Sequence, residues 1–159
     1  MKKLNKKGFT ILELVLAIAV LTIVVSTSFI TLANFFSSTA LDTTNSNIVH
    51  FLRKAKANSV YRLNDGSWGV YFYDGGGNGS SMTLFKGSTY SSRDQIFDDE
   101  YEIPGAVTFQ NISLAGVGTE VVFEMITGET SNTGSIQIQD ENSNSYSITV
   151  NSLGNIESS

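Results

Sequence analysis

One carboxylate stands where carboxylates are costly. Glu13 follows Lys6-Lys7-Gly8-Phe9-Thr10-Ile11-Leu12 and is the only charged residue between Phe9 and Asp42. An acid inside so long an apolar run is expensive unless a cation pairs with it, so its presence points to a use. The other residues that could do chemistry are few. His50 has no Cys or carboxylate at ligand or triad spacing, which makes it a surface or subunit-contact residue and not a catalyst. Asp94, Asp98, Asp99, Glu100 and Glu102 gather hard oxygen donors, but their spacing fits no defined calcium loop and reads as a solvated acidic segment. The glycine-rich stretch at 75–79 neither opens a helix nor carries a P-loop lysine, so it is no phosphate cradle. No catalytic constellation, metal site or cofactor motif emerges.

The element that must position Glu13 is the run from Phe9 onward. It is long enough to cross a bilayer, which takes about 20 residues. No Gly or Pro interrupts it before Gly66. Val24-Val25-Ser26-Thr27-Ser28 is its weakest helical stretch, because β-branched and hydroxyl residues are poorer helix formers; an ordinary helix is the expectation there. Past Asp42 the pattern turns amphipathic: Leu41, Ile48, Phe51, Leu52 and Ala55 keep helical spacing, and Arg53, Lys54 and Lys56 take the other faces. A helix from about Phe9 to Asn58 would run roughly 75 Å. Leu63-Asn64-Asp65-Gly66 reads as its break.

Beyond Gly66 the period changes to two. Trp68, Val70 and Phe72 alternate along a first strand, with Trp68 a core aromatic. Asp74 to Gly79 is a loop, and Met82 to Phe85 returns as the hairpin partner. Ser88 to Pro104 is expected to be a long acidic connection. Val107 to Ile112, Glu120 to Ile126, Ser135 to Gln139 and Tyr146 to Val150 read as further strands.

Composition bounds the function classes. The chain of 159 residues carries a net charge of −5, with four of its ten basic groups at Lys2, Lys3, Lys6 and Lys7. Without residues 1–8, six basic groups face fifteen acidic ones, a charge of −9. No Lys or Arg follows Arg93. Phosphate binding needs clustered cations, so the C-terminal half is a poor nucleic-acid surface. There is no cysteine, so packing alone must hold the domain.

Gly8-Phe9-Thr10-x-x-Glu13 ahead of an apolar helix resembles the signal of type IV prepilins and type II secretion pseudopilins: a short basic leader, Gly, an aromatic first mature residue and Glu at the fifth mature position. The resemblance implies cleavage between Gly8 and Phe9 by a membrane prepilin peptidase and N-methylation of the Phe9 amine. It implies that Glu13 serves filament assembly by facing the N-terminal amine of a neighbouring subunit. A carboxylate in hydrocarbon is tolerable when such a cation pairs with it. A second likeness is to the H-type minor pseudopilins and FimT-like minor pilins. It rests on Phe51-Leu52-Arg53-Lys54-Ala55 near the helix end and on Thr127-Gly128, Gly134-Ser-Ile-Gln-Ile and Gly154-Asn-Ile156 near the C-terminus. The basic C-terminal surface of DNA-binding members of that group has no counterpart here.

The expected fold is α+β, a long N-terminal helix with a transmembrane first half, packed on an antiparallel β domain. Its parts are a leader at 1–8, a transmembrane and filament-core helix at 9–41, an amphipathic continuation at 42–66 and a β-rich globular domain at 67–159. The expected function is that of a structural subunit, a minor pilin or pseudopilin of a type IV pilus or type II secretion pseudopilus. Its partners would be the prepilin peptidase, other pilin or pseudopilin subunits met through their N-terminal helices, and an inner-membrane assembly platform. The chain would cross the cytoplasmic membrane once, with its C-terminal domain outside, before entering a filament. The rival reading is a pilus-associated binding module, an adhesin or DNA-uptake receptor, and the low basic content weakens its DNA form.

Overall fold

One α-helix, eight strands and two short 3-10 turns (Leu63–Asp65 and Tyr90–Ser92) make up the described secondary structure of the computed structural model, which describes residues 9–76, 79–116 and 118–159, with backbone alone for 27–34. Helix α1 runs Ile11–Val60. The strands are β1 (Trp68–Tyr73), β2 (Ser81–Lys86), β3 (Asp94–Glu102), β4 (Val107–Leu114), β5 (Glu120–Phe123), β6 (Gly134–Asp140), β7 (Ser145–Val150) and β8 (Ile156–Ser158). They form two four-stranded sheets, ordered β3-β2-β1-β5 and β4-β6-β7-β8, with every pairing antiparallel. The architecture is the expected α+β. The chain divides into two compact units, of which the first ends at Phe36 and the second is Ser37–Ser159.

In the first unit the described apolar side chains of the helix lie open. Ile11, Leu12, Leu14, Val15, Leu16, Ile18, Leu21 and Ile23 are all exposed. A helix apolar all round belongs in an apolar medium or among other helices. Its hydroxyls turn inward on their own backbone: Thr22 Oγ1 donates to the carbonyls of Ile18 (2.9 Å) and Ala19 (2.8 Å), and Ser26 Oγ to that of Thr22 (2.7 Å). This back-bonding satisfies a polar group without a partner helix. The backbone stays helical through Val24 to Ser28, as expected of an ordinary helix. Among the described residues no helix is long and apolar enough to cross a membrane.

The second unit is built around the amphipathic stripe. Leu41, Ile48, Phe51, Leu52 and Ala55 are buried in one core with Trp68, Val70 and Phe72 of β1, Met82 and Leu84 of β2, Val121 and Phe123 of β5, and Ile136, Ile138, Ile148 and Val150 of β6 and β7. Each fully buried Leu, Ile or Phe stabilises the unit by about 1.5–3 kcal/mol. Trp68 is the core aromatic it was expected to be, with its indole N–H donating to Leu63 O at 3.0 Å. The helix stops where Arg62 (φ 54°), Asn64 (φ 57°) and Asp65 (φ 50°) turn left-handed. Asn and Asp tolerate that region better than most residues. Ser59, fully buried, ties the helix end to the sheet: its Oγ accepts the Trp68 N–H at 2.8 Å, and its carbonyl accepts the Ile126 N–H at 3.1 Å.

Three expectations need correction. The acidic segment 88–104 is not a connection throughout, because Asp94–Glu102 forms β3 at the edge of the first sheet. The strand expected over Glu120 to Ile126 ends at Phe123. There the chain turns, and Ile126 takes φ 78°. Last, β8 is an additional strand that pairs with β7.

The outer face of the first sheet has a small core of its own. Phe85, fully buried, lies over Gly69, its cross-strand partner. A Cβ on Gly69 would come within 2.8 Å of the Phe85 ring and 2.7 Å of Val121 O, so only glycine fits beneath the ring. Tyr90 folds back from the β2–β3 connection to stack on Tyr71, with centroids 3.8 Å apart. The buried Glu120 holds it there by accepting the Tyr90 N–H at 2.8 Å.

Candidate functional site

The site is the start of α1. Phe9 and Thr10 precede the helix, and Thr10 caps it: its Oγ1 accepts the Glu13 N–H at 3.3 Å, and its carbonyl accepts the Leu14 N–H at 3.1 Å. A helix leaves its first N–H groups without partners, and a Thr side chain three residues ahead satisfies one of them. Thr10-Ile11-Leu12-Glu13 is a capping-box sequence, with the acid at the third helical position. Glu13 also lies in the first turn, where the helix dipole favours negative charge. The sequence reading missed this local role of Thr10, although a Thr followed three residues later by Glu is its signal.

Phe9 is 81% exposed and Glu13 is exposed as well. The carboxylate is therefore presented on the helix surface, with no ion-pair partner among the described residues. Gly8, the other half of the expected cleavage junction, and the leader lysines lie outside the described residues.

The remaining candidates do not assemble into a second centre. His50 is exposed on α1, with its ring edge-on to Phe51 at 6.3 Å. The acids of β3 turn to separate partners. Asp98 pairs with Arg93 Nε at 2.8 Å, Asp99 with Lys54 Nζ at 2.7 Å, and Glu100 accepts from Ser81 Oγ at 3.0 Å. Arg93 is held above its ordinary value chiefly by its hydrogen bond to Asp98, against the opposing effect of burial. Among the described residues no group of three or more His, Cys, Asp or Glu converges on a metal position. In the loop after β1, Asp74 Oδ1 accepts from Gly76 N (3.1 Å) and Ser80 Oγ (3.3 Å); Gly77 and Asn78 lie outside the described residues.

Residues 3–29 match the family model of the prokaryotic N-terminal methylation motif. The match covers the leader from Lys3, the Gly8–Phe9 junction, Glu13 and the apolar start of α1. It supports a type IV pilin-like prepilin, a class of structural subunits that a prepilin peptidase processes and that assemble with other pilins. No curated protein matches the chain, and no solved structure does.

Proposed function

We propose that the chain is a structural subunit of a type IV pilus or type II secretion pseudopilus. Prepilin peptidase cuts between Gly8 and Phe9, the new Phe9 amine is methylated, and residues 9–41 hold the subunit in the cytoplasmic membrane until an assembly platform moves it into a filament. The β-bearing part then lies outside the membrane. The resemblance to the H-type and FimT-like groups favours a minor pilin or pseudopilin. The observation that carries this reading is the exposed Glu13 carboxylate in the first turn of a helix whose described apolar side chains from Ile11 to Val25 are all exposed. Such a helix gains cover from the helices of neighbouring subunits. There the carboxylate meets an N-terminal amine in a water-poor setting, where each charge needs the other.

Glu13→Ala separates the two environments. In the membrane the change removes a charge that costs a few kcal/mol by insertion scales, so membrane levels hold or rise. In the filament it leaves the neighbouring amine unpaired, so incorporation falls. Membrane and filament fractions of wild type and variant are compared in a strain with the full assembly machinery. Equal incorporation of both would defeat the docking role, and a loss from the membrane would defeat the reading of what the charge is for.

A further inference from the structure

The proposed subunit role leaves open how the folded parts of neighbouring subunits meet, and two surfaces of the second unit fit each other. The first is on β3. Its pairing with β2 is regular from Glu102 to Asp99 and resumes only at Asp94, opposite Lys86, so Gln95 to Asp98 form a bulge on an edge strand. Bulges re-aim side chains. Phe97 packs inward against Trp68, with centroids at 5.8 Å, and Ile96 is turned out and is 87% exposed. Asp94, Asp99, Glu100 and Glu102 are exposed on the same strand, and Asp94 Oδ1 accepts the Ile96 N–H at 3.4 Å.

The second surface is an open groove of about 370 Å³ between the last turns of α1 and the approach to β8. Arg53, Lys56, Gly154, Asn155, Ile156 and Glu157 line it. Lys56 Nζ donates to Leu153 O at 2.9 Å, and Arg53 has no ion-pair partner among the described residues. The groove therefore offers an apolar wall at Ile156 and two cations, with Glu157 as the one opposing charge.

The two surfaces lie on opposite flanks of the same helix. Lys54 reaches β3 through Asp99, whereas Asn45 reaches β8 by accepting from Ser158 Oγ at 2.8 Å. At 100° per residue, Asn45 and Lys54 point about 180° apart, and of the groove's own helix residues Lys56 points about 160° and Arg53 about 100° from Lys54. A surface on one flank that complements a surface on the other makes a heterologous contact, which builds a filament where its rotation does not close into a ring. Opposite charges across it set register more than they add affinity.

We propose that β3 of one copy docks on this groove of a second copy, with Ile96 against Ile156 and Asp94 facing Arg53. Copies of the chain are then contiguous in the filament, whatever share of the whole they make up. The proposal rests on the subunit reading, but the two can fail separately.

The chain has no cysteine, so disulfide capture has no background from the subunit itself. In filaments assembled from an Ile96→Cys, Asn155→Cys double variant, mild oxidation is expected to give a ladder of dimers, trimers and higher multimers, and either single variant is expected to stay monomeric. Filaments at wild-type level without a ladder would overturn the contact and leave the subunit reading standing. Dimers from a single variant, or adducts only with a different subunit, would overturn it too. Wild-type protein that never enters a filament would overturn the subunit reading itself. If the cysteines block assembly, charge reversal decides. Arg53→Glu and Asp94→Lys should each lower incorporation by about fivefold, the scale of an exposed ion pair, and together should restore it to within about twofold. Single reversals without effect, or a double variant no better than either single one, would overturn the pairing.

Discussion

The Thr10 hydroxyl accepts the backbone N–H of Glu13 at 3.3 Å, which makes Glu13 part of a helix cap as well as the carrier of an exposed carboxylate. The two roles use different atoms of the same residue, the amide in one and the side chain in the other. A substitution at Thr10 therefore reaches the cap without touching the charge.

Thr10→Val keeps size and removes the acceptor. The helix start should lose about 1 kcal/mol, the usual worth of such a cap. Filament incorporation should fall less than in Glu13→Ala, because the carboxylate remains to meet a neighbouring amine. Quantifying both variants in purified filaments checks the order. A Thr10→Val defect as deep as that of Glu13→Ala would mean that the cap, and not the charge, governs assembly.

Ser59→Ala tests the tie between helix and sheet. The variant strands the buried Trp68 N–H, which should cost about 1–3 kcal/mol. Lys54→Ala serves as the comparison. Its pair with Asp99 is 2.7 Å long, but the two side chains are 41% and 48% exposed, so its loss should cost under about 1 kcal/mol. Trp68 is the only tryptophan in the chain, and its fluorescence during thermal unfolding of the full chain in detergent reads both variants. A larger drop in midpoint for Lys54→Ala would contradict this ranking.

The helix stripe was legible because burial on one side imposes a period that composition cannot hide: Leu41, Ile48, Phe51, Leu52 and Ala55 all lie in the core. Strand β3 was not legible. It packs few side chains, its bulge breaks the alternation that marks a strand, and its acids suit an exposed edge that must not pair with another sheet edge. The short β8 carries too few residues to show a period. At the candidate site Glu13 stood out by charge alone, whereas Thr10 was overlooked because its role is local to the backbone.

Asp140 should make stability depend on pH. Burial pushes its carboxyl up, but hydrogen bonds from the Asn144 side chain and backbone and from Asn142 outweigh that and hold it below the usual carboxylate value. Its Oδ1 accepts from Asn142 N at 2.9 Å and Asn144 N at 2.8 Å, and its Oδ2 from Asn144 Nδ2 at 2.9 Å. Those bonds favour the ionised form, so the folded state binds its proton less readily than the unfolded state. The stabilisation is therefore fully present above the unfolded value of about 3.9 and is lost as pH falls through the lowered folded value. Asp140→Asn should lower the unfolding midpoint at pH 7, and the gap from wild type should narrow in strong acid. A gap that stays constant with pH would show that the carboxylate charge plays no part.

The most direct test of the proposed processing and assembly is the intact mass of the protein taken from its native filaments. Cleavage at the Gly8–Phe9 junction predicts a chain that begins at Phe9, lacks residues 1–8 and carries one added methyl group on its amine. Gly8→Ala should leave that product largely unchanged, and a bulky residue at position 8 should abolish it. An assembled chain that still carries Met1 to Gly8 would contradict the account.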